Sequence, residues 1–382
     1  GVDVQSTISC LTGLGVKVER NGKQARIHGH GLRGLRPPSV TLNVGNSGTT
    51  IRLLSGILAA QEFDSEITGD GSILKRPMDR IIRPLSQMGA KIQSKDGRYA
   101  PLRFEPSELS SIRYNVPVAS AQVKSCLLFA ALYANGMTHV TELSSTRDHT
   151  ERMLQNFGAN VNKKDLTVSM AGPAQLEATS IYVPGDLSSA AFFIAAATLV
   201  PDSELMIKNV GLNPTRSAFV SVLTKMGAKV DVVNFATVNN EFYADLLVRS
   251  SGLNGVVLNG NLIPQLIDEI PIIAVMATQA SGRTEIRNAS ELRYKETDRI
   301  RAVAVNLSKM GADVEEVEDG LIIHGPMKLS FAELESFDDH RIAMAFSVAG
   351  LVSDGGCLIK DSECADISFT KFYEKLEEIK IA

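Results

Sequence analysis

The feature of this 382-residue chain that most restricts its fold is an internal repeat. A helix-like segment ends in glycine, a compact residue follows, and a strand-like segment begins. The copies are Leu14-Gly15-Val16, Met88-Gly89-Ala90, Phe157-Gly158-Ala159, Met226-Gly227-Ala228 and Met310-Gly311-Ala312, with glycines 74, 69, 69 and 84 residues apart. Each glycine stands where a helix requires a left-handed C-terminal residue. A second element alternates with the first. Segments starting near Ser47, Ser120, Ser188, Asp268 and Asp339 open polar and become almost wholly apolar. A helix that is apolar on nearly every side is buried. The first kind, as in Asp148–Phe157 and Pro214–Met226, is amphipathic and lies on a surface.

Each period of about 70 residues is too long for a solenoid repeat. It predicts α/β units with helices inside and sheets around them. Amphipathic segments number six if Ser368–Ile379 is counted, and buried ones five. The chain opens at Gly1, just before the amphipathic segment Val4–Leu14, with no buried partner upstream. The spacing places that partner about 25 residues before Gly1, so the expectation is a chain that begins in mid-repeat. Six units over two domains gives three each. The Val183-Pro184-Gly185 punctuation marks the crossing, so the domains are expected at 1–183 and 184–382.

Composition narrows the function. A net charge of -4 leaves no broad nucleic-acid footprint. The longest apolar run, Ala190–Val200, suits a buried helix rather than a membrane span. Four cysteines without a CxxC pair fit neither a disulfide scaffold nor a zinc ribbon, and a reducing cytoplasm is expected. The six histidines offer no metal constellation.

Gly29–Gly34 matches GxGxxG in form, but Pro37-Pro38 leaves no place for the helix a dinucleotide site requires, so it reads as a loop. Asn46-Ser47-Gly48-Thr49 and Ser120-Ala121-Gln122 each open a buried helix. Unpaired N–H groups there suit an anion, and simple N-capping by the hydroxyls is the competing reading. Arginines recur at the starts of surface helices: Arg76, Arg147, Arg216 and Arg299. A cation is electrostatically out of place there, which asks for an anionic partner; Arg216 is expected to be a structural ion pair. Lys295–Arg299 (KETDR), Asp338–Arg341 (DDHR) and Asp268-Glu269 gather carboxylates and cations at equivalent repeat positions. Such groups suit proton transfer beside a bound anion.

Taken in order, GNSGTT-IR (Gly45–Arg52), TGDGSILKRPM (Thr68–Met78), SAQVKS (Ser120–Ser125), TRDHTERML (Thr146–Leu154), VPGDLSSAAFF (Val183–Phe193), LIDEIPI (Leu266–Ile272), KETDRI (Lys295–Ile300) and DDHRIAMA (Asp338–Ala345) resemble the EPSP synthase family across essentially the whole chain. The resemblance implies an α/β, two-domain enolpyruvyl transferase fold of βαβαββ units with buried helices, an inside-out α/β barrel, here with its first unit incomplete. It places the site in the cleft between domains. It implies transfer of the enolpyruvyl group of phosphoenolpyruvate to the 5-hydroxyl of shikimate 3-phosphate, with no cofactor and no metal. By position, Glu296 is the catalytic group that exchanges the methylene proton, and Asp268 binds the shikimate hydroxyls and assists deprotonation. Arg76, Arg299 and Arg341 correspond to the phosphoenolpyruvate clamp, with Asn46, Gly48 and Gln122 beside it. Ser120, Ala121, Gln122 and Arg147 correspond to the shikimate 3-phosphate pocket, with Lys295 and His340 as neighbours.

The departures are specific. The family's Lys-Ser pair and following Arg belong to the segment the repeat count finds absent, so the 382 residues alone are expected to be nearly inactive. Ile367 stands where many members carry a lysine. Glyphosate is a candidate inhibitor, because Gly48 leaves room for it. A monomer is expected, with no nucleic-acid or membrane partner. Alternatives are a non-catalytic fragment, the sister UDP-N-acetylglucosamine enolpyruvyl transferase, and an RNA-end-modifying enzyme of related units.

Overall fold

The computed structural model describes residues 1–380, and its chain divides into two compact units, Val2–Ile181 and one that begins at Tyr182. The first unit opens with α1 (Val2–Gly13) and the hairpin β1 (Lys17–Asn21)/β2 (Gln24–His28). Gly29–Gly34 is a loop with one turn, as the prolines after it predicted. Two complete βαβαββ motifs follow. One runs β3 (Leu42–Asn43), α2 (Gly48–Leu58), β4 (Ser65–Thr68), α3 (Asp79–Gln87), β5 (Lys91–Lys95) and β6 (Tyr99–Glu105). The other runs β7 (Arg113–Asn115), α4 (Ala121–Ala131), β8 (Gly136–Thr141), α5 (His149–Asn156), β9 (Val161–Lys164) and β10 (Thr167–Gly172). Both sheets have the same order, β3-β4-β6-β5 and β7-β8-β10-β9. The first pair in each is parallel, Leu42 facing Ile67 and Arg113 facing His139, with the buried helix as its crossover. The closing hairpin adds a strand that helix periodicity did not reveal.

The second unit repeats this plan. It contains α6 (Leu187–Leu199), β11 (Glu204–Gly211), α7 (Ala218–Met226), β12 (Lys229–Val238) and β13 (Glu241–Arg249). Next come the two-residue strands β14 (Leu253–Asn254) and β15 (Val257–Leu258), a one-turn helix Ile263–Leu266, α8 (Ile270–Ala277), β16 (Ala280–Ile286), α9 (Arg299–Lys309), β17 (Asp313–Val317) and β18 (Gly320–Gly325). The last motif has β19 (Leu329–Glu335), α10 (His340–Leu351), β20 (Ser353–Lys360) and α11 (Phe372–Lys380). The final helix begins at Phe372, four residues later than the sequence pattern suggested, because Ser362–Ile367 forms a 3-10 turn.

Even-numbered helices are the buried ones. Every residue of α8 is buried, although its β-branched run IPIIAV is a poor helix former, each such residue costing about 0.5 kcal/mol against alanine. Burying each Ile, Val or Met side chain contributes about 1.5–3 kcal/mol, so packing outweighs propensity. Helix α4 serves two cores: Val123, Cys126, Leu127 and Ala130 enter one, and Leu128 and Ala131, with the C-cap residue Leu132, the other. Helices α2 and α4 approach so closely that a Cβ on Gly56 would lie 2.1 Å from the Cys126 carbonyl oxygen.

The five repeat glycines, Gly15, Gly89, Gly158, Gly227 and Gly311, have φ between 84° and 105°. Each closes a double hydrogen bond at its helix end. Gly89 N–H donates to Ser86 O and Ala90 N–H to Leu85 O, both at 3.0 Å, and the other four copies match. This pattern satisfies carbonyls the helix leaves open and turns the chain into the next strand.

Candidate active site

In the first unit the starts of α2 and α4 lie together. Ser47 caps α2 by accepting from Thr50 N–H at 3.2 Å, and Ser120 caps α4 by accepting from Val123 N–H at 3.4 Å. The capping reading therefore holds at both serines. A capping hydroxyl still keeps its own proton to donate. Gln122 joins the two helices: its Nε2 donates to Thr49 Oγ1 at 2.9 Å, and its Oε1 accepts from Arg52 Nη1 at 2.5 Å. Arg52 was not picked out from sequence as a site residue. The available signal was an arginine in an otherwise apolar helix. Arg76 crosses the start of α2, where a Cβ on Gly48 would lie 2.8 Å from its Nη1, and its Nη2 donates to Ser72 Oγ at 3.3 Å. Asn46 and Ala121 are half-buried beside these starts. Arg147 is on the loop between β8 and α5, and is also half-buried.

In the second unit one carboxylate gathers three cations. Asp268 Oδ1 lies 3.4 Å from Arg299 Nη1, 3.6 Å from Lys295 Nζ and 3.8 Å from Arg341 Nε. Arg341 Nη1 also donates to the Asp268 carbonyl at 3.2 Å. Arg299, at the start of α9, is 1% exposed and enclosed by carboxylates. Its Nε donates to Asp339 at 2.8 Å and its Nη2 to Glu296 at 2.6 Å. Burial alone would lower its pKa, but Asp339, Glu296 and Asp268 reverse that and raise it. Asp339 also caps α10 through Arg341 and Ile342 N–H groups.

His340 is neutral at pH 7. Burial first, then Arg341 and to a lesser extent Arg299, lower its pKa to about 4, against opposing effects of Asp339 and Glu296. Its Nδ1 is buried without a hydrogen-bond partner among the described residues. Glu269 points the other way, accepting from Ser188 Oγ and lying 3.9 Å from Arg216. Burial, then Asp268 beside it, raise its pKa, partly offset by Arg216 and Arg341. Arg216 donates to Asp186 at 3.1 Å and forms the structural ion pair expected of it. Ile367 ends its 3-10 turn and brings no charge.

Cations gathered at helix starts in a repeated α/β scaffold define a class: enzymes that hold small polyanions. The family model of EPSP synthase (3-phosphoshikimate 1-carboxyvinyltransferase) matches residues 1–376, and the chain belongs to that family. It is 52% identical over 380 residues to the 3-phosphoshikimate 1-carboxyvinyltransferase of Brevibacillus brevis, covering 99% of this chain and 89% of that protein. The Geobacillus kaustophilus enzyme of the same name is 49% identical, with 99% and 90% covered. The solved EPSP synthase of Acinetobacter baumannii superposes with a TM-score of 0.89 at 42% identity, covering 99% of this chain and 88% of that one. These matches favour neither the sister amino-sugar transferase nor the non-catalytic fragment considered from sequence.

Proposed function

We propose that this chain transfers the carboxyvinyl group of phosphoenolpyruvate to the 5-hydroxyl of shikimate 3-phosphate and releases phosphate, with the polar clusters of its two units carrying the reaction. The observation behind the residue roles is the Asp268 carboxylate ringed by Lys295, Arg299 and Arg341. Three cations surround its carboxylate, whose oxygens can also accept a hydrogen bond from a hydroxyl.

Addition protonates the methylene carbon of phosphoenolpyruvate while the 5-oxygen bonds to its central carbon and loses its proton. Elimination expels phosphate and removes a proton from the new methyl group, restoring the vinyl. Glu296 exchanges the carbon-bound proton. Its carboxylate is partly exposed and bound to Arg299 at 2.6 Å. When the substrate carboxylate takes over Arg299, Glu296 is released to act. Asp268 orients the shikimate hydroxyls and assists deprotonation. Arg76, Arg299 and Arg341 hold the anionic groups of phosphoenolpyruvate by charge-assisted bonds, with Asn46, Gly48 and Gln122 alongside. Ser120, Ala121, Gln122 and Arg147 hold the 3-phosphate of the other substrate. Residues 1–183 and 184–382 act as the two domains of a cytoplasmic monomer, and glyphosate competes for the phosphoenolpyruvate groups.

The test is phosphate release with both substrates, beside deuterium uptake from solvent water at the methylene carbon, in wild type and Glu296→Gln. Loss of a positioned acid–base group costs about 10²–10⁴ in rate, and both readouts fall together. Undiminished deuterium uptake in Glu296→Gln would remove Glu296 from its assigned role.

A further inference from the structure

Helix α4 carries a lysine where an apolar residue would pack as well. Lys124 is 0% exposed, and its Nζ lies 2.7 Å from Glu151 Oε1 and 3.0 Å from Glu142 Oε2. Lys163 approaches the same Glu142 oxygen at 3.8 Å. Burial raises the Glu151 pKa, and Lys124 pulls it back. Such a buried set contributes little net stability compared with well-packed apolar side chains of the same volume. What it fixes is therefore the informative question.

Glu142 follows directly on β8, and Glu151 lies in the first turn of α5. The segment between them carries Arg147. One ammonium thus holds both ends of the Arg147 loop. Thr146 Oγ1 donates to Glu142, and Ser125 and Thr150 share a hydrogen bond of 2.7 Å, so the loop and α5 are tied to α4 at further points. Lys124 is two residues beyond Gln122 and four beyond Ser120, in the same first stretch of helix.

We propose that Lys124, with Glu142 and Glu151, is a positioning group that sets Arg147 against the start of α4, so that Arg147 and Ser120 meet the same phosphate group. This rests on the assignment of Ser120 and Arg147 to the shikimate 3-phosphate pocket. Lys124 itself touches no substrate. It acts through the loop it clamps.

The test uses the purified protein with Lys124→Met, Glu142→Gln and Glu151→Gln combined, which removes the three buried charges together and leaves only the partly exposed Lys163 without its Glu142 partner. Glu151→Gln alone is the milder second variant, because it leaves a balanced Lys124–Glu142 pair. Shikimate 3-phosphate binding is measured by calorimetry without phosphoenolpyruvate, and KM for each substrate by phosphate release. Misplacing a binding group by about 1 Å costs on the order of a hundredfold. The combined variant is expected to weaken shikimate 3-phosphate binding about tenfold to a hundredfold while the KM for phosphoenolpyruvate changes little. Glu151→Gln shows a smaller effect of the same sign. Adding Arg147→Ala to the combined variant costs little more, as non-additivity between coupled residues requires. A folded combined variant that binds like wild type overturns the proposal, as does a full additive loss with Arg147→Ala. If the combined variant does not fold, unchanged binding by Glu151→Gln overturns it. If Arg147→Ala alone leaves binding unchanged, the pocket assignment itself fails, and the proposal falls with it.

Discussion

Gly48→Ala separates binding from stability. Its new Cβ would lie 2.8 Å from Arg76 Nη1, where ordinary contact begins at 3.4 Å, so the guanidinium must retreat by 3.4 − 2.8, about 0.6 Å. The next neighbour, Arg52 Nη1, is at 3.5 Å and need not move. If about 1 Å of misplacement costs on the order of a hundredfold, 0.6 Å costs on the order of tenfold, or about 1.4 kcal/mol. That loss falls on phosphoenolpyruvate, the substrate assigned to Arg76. Replacing a helical glycine by alanine stabilises by up to about 1 kcal/mol, so the melting temperature holds or rises. The assay is initial velocity with phosphoenolpyruvate varied at saturating shikimate 3-phosphate, beside a thermal melt. A rise of about tenfold in KM for phosphoenolpyruvate, with that for shikimate 3-phosphate unchanged, is the expected result. An unchanged KM in the stable variant would show that Arg76 does not hold that substrate from this position.

Asp339→Ala deprives Arg299 of the carboxylate that accepts from both its Nε and its Nη2, and uncaps α10. Breaking a buried pair costs about 3–5 kcal/mol and losing a cap about 1 kcal/mol. Urea denaturation should show that loss, and Asp339→Asn, which retains an oxygen acceptor for the cap, should lose less. His340 gives a pH signature. Its folded pKa of about 4 lies below its ordinary 6.5, so the unfolded chain binds the proton more readily. Stability from this group is fully present above about pH 6.5 and declines as pH falls toward 4, by up to about 3 kcal/mol. Urea midpoints across that range should flatten in His340→Gln, and an unchanged slope would rule out a buried neutral imidazole.

Much of the scaffold was legible because its signals are local. A left-handed glycine and a double hydrogen bond at a helix end depend on neighbouring residues, and all five copies could be read from a short motif. Full apolarity marked the five buried helices for the same reason. The short strands β3, β14 and β15 were not legible, since two residues carry no periodicity. At the candidate site, sequence showed which charged clusters exist but not how they pair. Arg299 meets Asp339 across 40 residues, and Lys124 meets Glu142 and Glu151 across two elements. Lys124 sits in the same motif as Ser120 and Gln122, and its full burial separates a structural ion from those two half-buried residues.

The pairing of α2 and α4 has a consequence for how the protein survives when idle. Their starts are held side by side through Gln122 and Thr49, and each helix start bears roughly half a positive charge. Two like poles, with Arg52 added between them, repel. A phosphate or carboxylate at that place relieves the strain, so anion binding and folding draw on the same free energy. Molecules supplied with such an anion should therefore resist heat and proteolysis better than molecules without it.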